Sequence, residues 1–376
     1  MDIQSRIVLG SEGVRFYAER GAKLHRFDGS ENDSHYGFRL RSIDVPWLRR
    51  LLLSGFVEKA EFPVNDISLV KGDLNDLTRL VVYAMLYGHF RSSINSRVIN
   101  TDVIQRWNRQ HPHQALDARN ASSSLELRQA LLAHPDALQE IKRSIAMPVL
   151  RTLSADGRLN AEDRTRLNRF AIDLINNLDP LVFFVLLGSQ PAERRSIESD
   201  IQKALMSCTE RSTLADYLSL MTIEIMGAAE RTTLIDLVGS GVPVQNLRSL
   251  LEDSSKRRDL LSKLPNGLSA ALVWSIQKRW SMGRYRYRLR LSLHDGSSSF
   301  EDSKRLLEER GRLSVKDRSL KEFYEHGSGP YGDDGLGWYY LSFLGEECQK
   351  MGVSFEASVR ESEKHGTAAV DLVIIL

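Results

Sequence analysis

The sequence predicts a predominantly helical α+β protein. Most of the chain carries apolar residues at helical spacing, most clearly over residues 74–91. Near the C-terminus, residues 284–293 and 353–359 alternate apolar and polar side chains, which is typical of half-buried strands. Residues 368–376 are almost wholly apolar, as in a central strand that is buried on both faces. At 376 residues the chain is long enough for two or three domains.

Residues 1–118 are predicted to form a small N-terminal α+β module. Asp44 is followed by Pro46, a pair that favours a helix start because the carboxylate can cap free N–H groups and proline suits the first turn. The helices predicted in this module cover residues 11–20, a segment that begins at 44, residues 74–91 and residues 101 to about 107. The strands predicted in it cover residues 23–27 and 36–43.

Residues 119–210 are predicted to form a helical bundle. Apolar stripes at helical spacing follow one another there, and the run from Asn160 to Asp163 resembles a capping box at a helix start. The helical pattern continues to about Trp280, within a third predicted domain over residues 211–376.

The turn after Leu153 has some residues in the order of a calcium-binding loop. Thr152 stands where such a loop has its first acid, and Asp163 stands where it has a bidentate glutamate. A plain connection between two helices explains the same residues better, so we expect no metal site here.

The composition of the chain limits the partners and the cellular location that we expect. The formal net charge is +2, which argues for neither nucleic acid nor a charged membrane surface. No apolar run approaches the roughly 20 residues that span a bilayer, and the first residues lack the apolar segment of a signal peptide. Only Cys208 and Cys348 are present, which suits a reducing compartment. We therefore expect a cytoplasmic protein without a membrane span.

The C-terminal domain places several polar and glycine-rich turns in a definite order. The strand over residues 284–293 leads to Asp295, and a charged stretch, residues 300–331, follows. Gly332, Gly335 and Gly337 then open a helix, and the last strand begins after a turn. That turn is His365-Gly366-Thr367.

This order resembles the C-terminal half of the Bergerat-fold ATP-binding domain, shared by histidine kinases, anti-sigma kinases, gyrase-type topoisomerases and Hsp90-type chaperones. The resemblance implies an α/β sandwich that binds ATP or ADP with Mg²⁺. It implies that the Asp295 side chain hydrogen-bonds to adenine and that residues 300–331 form a lid over the nucleotide. It also implies that the glycines at a helix N-terminus let backbone N–H groups approach the phosphates. The residues it assigns to cofactor binding are Asp295, Gly332, Gly335, Gly337 and Thr367.

The same family has a helix patterned Glu-x-x-x-Asn-Ala, whose asparagine binds magnesium. Upstream in this chain Glu224 and Ala229 match the pattern, but Ala228 occupies the asparagine position. Losing a hydrogen bond to a charged group costs roughly 10- to 100-fold in affinity. Phosphoryl transfer depends on metal and phosphate positioning more than binding does, so we expect binding without catalysis.

These observations predict a cytoplasmic regulatory or signalling protein that acts by binding a protein partner or a second copy of itself, with weak adenine-nucleotide binding. One alternative is a non-enzymatic helical scaffold without a nucleotide site. Another is an active ATPase or kinase of the histidine kinase-like superfamily, in which Glu224 is the general base.

The strand over residues 284–293 also carries arginines along one face, at Arg284, Arg286, Arg288 and Arg290. One interpretation is a phosphate or nucleic-acid surface. We favour an edge strand protected by charge, or a face paired with acids of the same chain such as Glu308 and Glu309. Nucleic acid is not an expected partner.

Overall fold

A computed structural model describes most of the chain, and all structural statements below refer to that part. The described residues are 5–27, 35–40, 44–116, 131–157, 159–238, 253–264, 270–281, 284–295, 300–310, 336–362 and 367–376. The predicted site residues Gly332 and Gly335 lie outside these ranges.

Both ends of the chain contain strands as well as helices, and the middle is helical. The strands are β1 (Ser5–Leu9), β2 (His25–Phe27), β3 (His35–Leu40), β4 (Val57–Val64), β5 (Ala270–Ser281), β6 (Arg284–Asp295), β7 (Ser354–Ser362) and β8 (Thr367–Ile375). The helices are α1 (Ser11–Ala18), α2 (Val45–Leu53), α3 (Ile67–Val98), α4 (Asp102–Gln110), α5 (Pro135–Ala155), α6 (Ala161–Asn176), α7 (Pro180–Gly188), α8 (Pro191–Arg211), α9 (Leu214–Val238), α10 (Ser254–Ser262), α11 (Phe300–Arg310) and α12 (Leu336–Lys350).

The architecture confirms the predicted class, a mixed α+β protein that is mainly helical. The chain divides into two compact units. The first unit holds residues 1–85, 214–278 and 287–376, and the second holds residues 86–213 and 279–286.

The first unit is built on one eight-stranded antiparallel sheet with the strand order β2-β3-β1-β4-β5-β6-β8-β7. One face of this sheet is apolar. Its register sets Ile7 opposite Phe38 and Ala60, Phe62 opposite Leu272, and Leu291 opposite Leu372. Among these residues Ile7, Ala60, Leu272 and Leu291 are fully buried, so the core of the unit lies on this face.

The division of the chain differs from the predicted boundaries at residues 118 and 210. The reason is a long-range pairing: β4 pairs with β5, with Ala60 opposite Trp274 and Phe62 opposite Leu272. The Phe62 and Trp274 rings lie 6.4 Å apart, centre to centre. The N-terminal strands therefore complete the sheet to which the C-terminal strands belong, and do not form a module of their own.

Residues 270–281 form β5, so the prediction of helix up to about Trp280 is wrong. The strand occupies an interior position in the sheet between β4 and β6. Ala270, Ala271, Leu272 and Trp274 are all buried. A short apolar run of this kind is compatible with either a buried strand or a buried helix, and its neighbours decide the outcome.

Several local predictions are confirmed. Asp44 caps α2 by accepting a hydrogen bond from the Trp47 N–H at 3.0 Å, and Asn160 caps α6 by accepting from the Asp163 N–H at 2.8 Å. The turn before α6 is the expected helix–helix connection, because Thr152 lies within α5 and Asp163 lies in the first turn of α6.

The second unit contains the helices α4 to α8. Within it, Pro148 lies inside α5 and has no N–H to donate to the carbonyl of Ser144, four residues earlier. The side chain of Gln202 on α8 donates to that carbonyl at 3.1 Å. The hydrogen bond that proline removes from the helix is therefore replaced by one between two helices.

Among the described helices, none by itself combines the length and apolar composition of a membrane crossing; α6 and α7 together meet the criterion only as a pair bent by 74°.

Candidate functional site

The predicted site residues lie on elements that meet at one end of the sheet. Asp295 is the last residue of β6, and Thr367 is the first residue of β8. These strands are antiparallel neighbours, and His294 lies opposite Ala369. The register therefore sets the end of β6 and the start of β8 side by side, which the sequence alone could not establish.

Helix α12 runs back toward the same end. A three-residue connection, Met351–Val353, joins it to β7, and Gly352 has the positive φ of 64° that glycine tolerates in such a turn. A Cβ added at Gly345 would lie 3.7 Å from the Phe355 ring, so α12 packs along β7 in the opposite direction. Gly337, the second residue of α12, thus lies toward the end of the sheet where β8 begins.

Helix α9, which carries Glu224, packs beside α12. Tyr217 near the start of α9 is close to Glu347 and Lys350 near the end of α12. Burial raises the pKa of the Tyr217 hydroxyl, and the Glu347 carboxylate raises it further. The two helices are therefore antiparallel. At about 1.5 Å per residue, Ala228 lies roughly 16 Å along α9 from Tyr217, toward the N-terminal end of α12.

The helices and strands that carry Glu224, Ala228, Asp295, Gly337 and Thr367 therefore pack against one another. Gly332 and Gly335 are not among the described residues. Glu224 is half-buried on α9. Ala228, also half-buried, contributes only a methyl group where the resemblance requires an amide oxygen. Within the described ranges, no group of three or more His, Cys, Asp or Glu side chains could hold a metal ion.

The predicted lid begins as regular structure. Residues 300–310 form α11, and this helix packs against β7, β8 and α12. The sequence suggested an irregular stretch because this segment is dominated by charged residues. The rest of the predicted lid, residues 311–331, is not among the residues that the structure describes.

The sequence did not reveal a buried ionic cluster on α9, six residues after Glu224. Glu230 is 1 % exposed and accepts a hydrogen bond from the Ile67 N–H at 2.7 Å. It also forms an ion pair with Arg257 on α10, which reaches Asp66 at 3.2 Å. The cluster joins three helices through one buried carboxylate. The sequence signal for it is weak: Glu230 is one of two glutamates in a mainly apolar helix.

The arginine face contains a second buried carboxylate. β6 lies between β5 and β8, so the expectation of an edge strand is wrong. Asp371, directly opposite Ser292, is 3 % exposed and accepts hydrogen bonds from Ser292, Arg290 and Arg360. Arginine therefore does pair with an acid of the same chain, but that acid is Asp371 and lies on the neighbouring strand.

The ionisation of Asp371 follows from these contacts. Burial alone would raise the pKa of the Asp371 carboxyl. Hydrogen bonds from Arg290, Ser292 and Arg360, together with the positive charge of Arg290, outweigh burial and lower that pKa below its ordinary value. The carboxylate is therefore charged at neutral pH and holds the polar face of the sheet together.

The comparisons with known proteins concern the whole chain. The model of a family of unknown function, DUF8084, matches residues 1–376. The chain belongs to DUF8084. An uncharacterized protein of Treponema pallidum (strain Nichols) is 23% identical to this chain. The alignment is 376 positions long and covers 99% of this chain and 97% of that protein. No solved structure gives a significant match to this DUF8084 chain.

Proposed function

We propose that this protein is a cytoplasmic regulatory protein that acts by binding a protein partner or a second copy of itself, and that its C-terminal part is a degenerate Bergerat-like domain with weak affinity for adenine nucleotides. The observation that carries the proposal is the common location of Asp295, Thr367 and the start of α12 at one end of the sheet.

The chemistry of this end suits a nucleotide better than a metal. A carboxylate at the end of β6 can accept from the exocyclic amine of adenine. The N-terminus of a 15-residue helix, α12, offers a diphosphate the positive end of the helix dipole and first-turn N–H groups that have no acceptor within the helix. Glu224 can approach the same region from α9.

Magnesium would be poorly held. It requires near-octahedral oxygen ligands, and Ala228 removes the oxygen that the resemblance assigns to this helix. Nucleotide would therefore bind through its base and phosphates, with little dependence on magnesium. Weak binding without efficient phosphoryl transfer supports a role in regulation rather than in catalysis.

The proposed cytoplasmic location is supported by both cysteines. Cys208 and Cys348 are free and buried, and burial raises the pKa of each thiol to about 12. Such thiols behave as small apolar side chains, as in proteins of reducing compartments.

Calorimetric titration of the full chain with ADP and with a non-hydrolysable ATP analogue, with and without Mg²⁺, tests the nucleotide part. The expected result is weak saturable binding that falls roughly 10- to 100-fold in Asp295→Asn. Asp259→Asn is the control, because Asp259 is an exposed aspartate on α10, outside every segment that the resemblance assigns to the nucleotide site. No heat change up to millimolar nucleotide would leave only the partner-binding part of the proposal.

A further inference from the structure

The two edge strands of the described sheet, β2 and β7, differ in a way that matters for association. The strand at one end, β2, has only three residues, His25–Phe27. The strand at the other end, β7, has nine, and pairs with β8 in unbroken register from Ser354 opposite Ile375 to Ser362 opposite Thr367. Natural edge strands are usually short, bulged or interrupted by proline, because a long regular edge is a template for another strand. β7 is nine residues long and contains neither a bulge nor a proline, although it does carry charged side chains.

The central segment of β7, residues 356–360, is complementary to itself. Glu356 and Arg360 lie on the same face of the strand, each two residues from Ser358. If two copies of β7 pair antiparallel about Ser358, each Glu356 lies directly opposite the Arg360 of the other copy. On the opposite face, each Ala357 then lies opposite Val359. Two opposite-charge pairs form, and small apolar residues meet beside them.

Other registers lack this match. Pairing centred on Glu356 would set two glutamates opposite each other, and pairing centred on Arg360 would do the same with two arginines. Like charges directly opposite are destabilising in an antiparallel pair. The charges of β7 thus select one symmetric register, centred on Ser358.

The side chains concerned are accessible. Glu356 and Ser358 are exposed, and the Arg360 side chain is 40% exposed. Arg360 donates through Nε to Asp371 at 2.7 Å. A guanidinium has five N–H donors, so it can bond a second carboxylate as well. Within its own chain Asp371 therefore orients the arginine that a second copy would meet.

We propose that this protein forms a two-fold symmetric homodimer in which two β7 strands pair antiparallel about Ser358, joining two eight-stranded sheets. A two-fold axis perpendicular to the sheet keeps the helix-covered faces of both copies on the same side, as closed symmetric dimers require. This inference rests on the partner-binding part of the proposed function and names its partner. It does not depend on nucleotide.

Cysteine cross-linking of the full-length protein tests the register. In the proposed dimer Ser358 lies opposite itself, with Cβ atoms roughly 4.5–5.5 Å apart. A movement of about 1 Å at the strand edge brings them within the roughly 3.5–4.5 Å that a disulfide spans. Ser358→Cys is therefore expected to give a reducible covalent dimer under mild oxidation. The native thiols give a low background, because burial raises the pKa of Cys208 and Cys348 to about 12.

The matched controls use the neighbouring positions on the same face. Glu356→Cys alone should cross-link poorly, because its counterpart is Arg360 rather than itself. Mixing Glu356→Cys with Arg360→Cys should produce the covalent dimer. Arg360→Cys also loses a contact to Asp371, so it could fold poorly. The comparison of Ser358→Cys with Glu356→Cys does not use that variant and is decisive by itself.

Sedimentation velocity of the unmodified chain completes the test. A concentration-dependent dimer is expected, and Glu356→Arg should weaken it by at least about tenfold, because attraction becomes repulsion at two symmetric positions. A monomer at every concentration, or equal cross-linking of Ser358→Cys and Glu356→Cys, would overturn the proposal. Neither outcome affects the nucleotide titration, so the two proposals fail separately.

Discussion

The Glu230 carboxylate accepts a hydrogen bond from the Ile67 N–H at 2.7 Å, although the two residues lie 163 positions apart. Ile67 is the first residue of α3, whose initial N–H groups have no partner within the helix. A negative charge at this position also interacts favourably with the helix dipole. The contact therefore fastens the start of α3 to α9, the helix that carries Glu224.

Replacing Glu230 tests how much this contact stabilises the fold. Glu230→Ala removes a buried partner of Arg257 and leaves the Ile67 N–H unsatisfied, so we expect the free energy of unfolding to fall by about 3 kcal/mol. Asp66 remains near Arg257 and limits the loss. Urea denaturation measures it. Asp236→Asn, an exposed position on the same helix, should change stability by less than about 0.5 kcal/mol.

The sequence predicted those elements that local chemistry decides. Asp44 and Asn160 mark helix starts because their side chains cap neighbouring N–H groups, and β6 alternates apolar and polar residues because one of its faces is buried. β5 was missed because its apolar run suits either a strand or a helix, and only its pairing with β4 decides between them.

The candidate site was predictable only in part. Asp295 and Thr367 could be named from their turns, but the register that sets β6 beside β8 depends on contacts between distant segments. Glu230 could not be recognised at all, because its partners Ile67 and Arg257 lie on other helices. Buried polar clusters depend on tertiary contacts, which a local pattern does not contain.

Asp371 predicts a dependence of stability on pH. Its pKa in the folded protein is lower than in the unfolded chain, so its contribution to stability is present above the unfolded value, about 3.9, and is lost as pH falls through the folded value. Asp371→Asn should lower the free energy of unfolding by about 1–3 kcal/mol at pH 7. The difference from the unmodified chain should shrink below about pH 4. Denaturation midpoints across pH measure this, and a difference that stays constant with pH would contradict it.

Ala228 predicts a gain of function. Ala228→Asn restores the side-chain oxygen that the family resemblance assigns to magnesium, at a half-buried position on α9. If the proposed nucleotide site is correct, affinity for ADP should rise roughly 10- to 100-fold, and only when Mg²⁺ is present. Calorimetry with and without the metal measures this change. Ala228→Gln, with a longer side chain, is the control and should not reproduce it. A gain that is equal without Mg²⁺ would contradict the assigned role.

Pro148 and Gln202 predict an energetic coupling within the second unit. Gln202→Ala leaves the Ser144 carbonyl without its donor at 3.1 Å, and we expect the free energy of unfolding to fall by about 1–2 kcal/mol. In a Pro148→Ala background the helix regains its own N–H donor to that carbonyl, so the same replacement should cost less. A double-mutant cycle of urea denaturation measures the coupling, which should be at least about 0.5 kcal/mol. Ser196→Ala, at an exposed position on the same helix, should show no coupling to Pro148. If Gln202→Ala costs the same in both backgrounds, the hydrogen bond from Gln202 does not replace the one that proline removes.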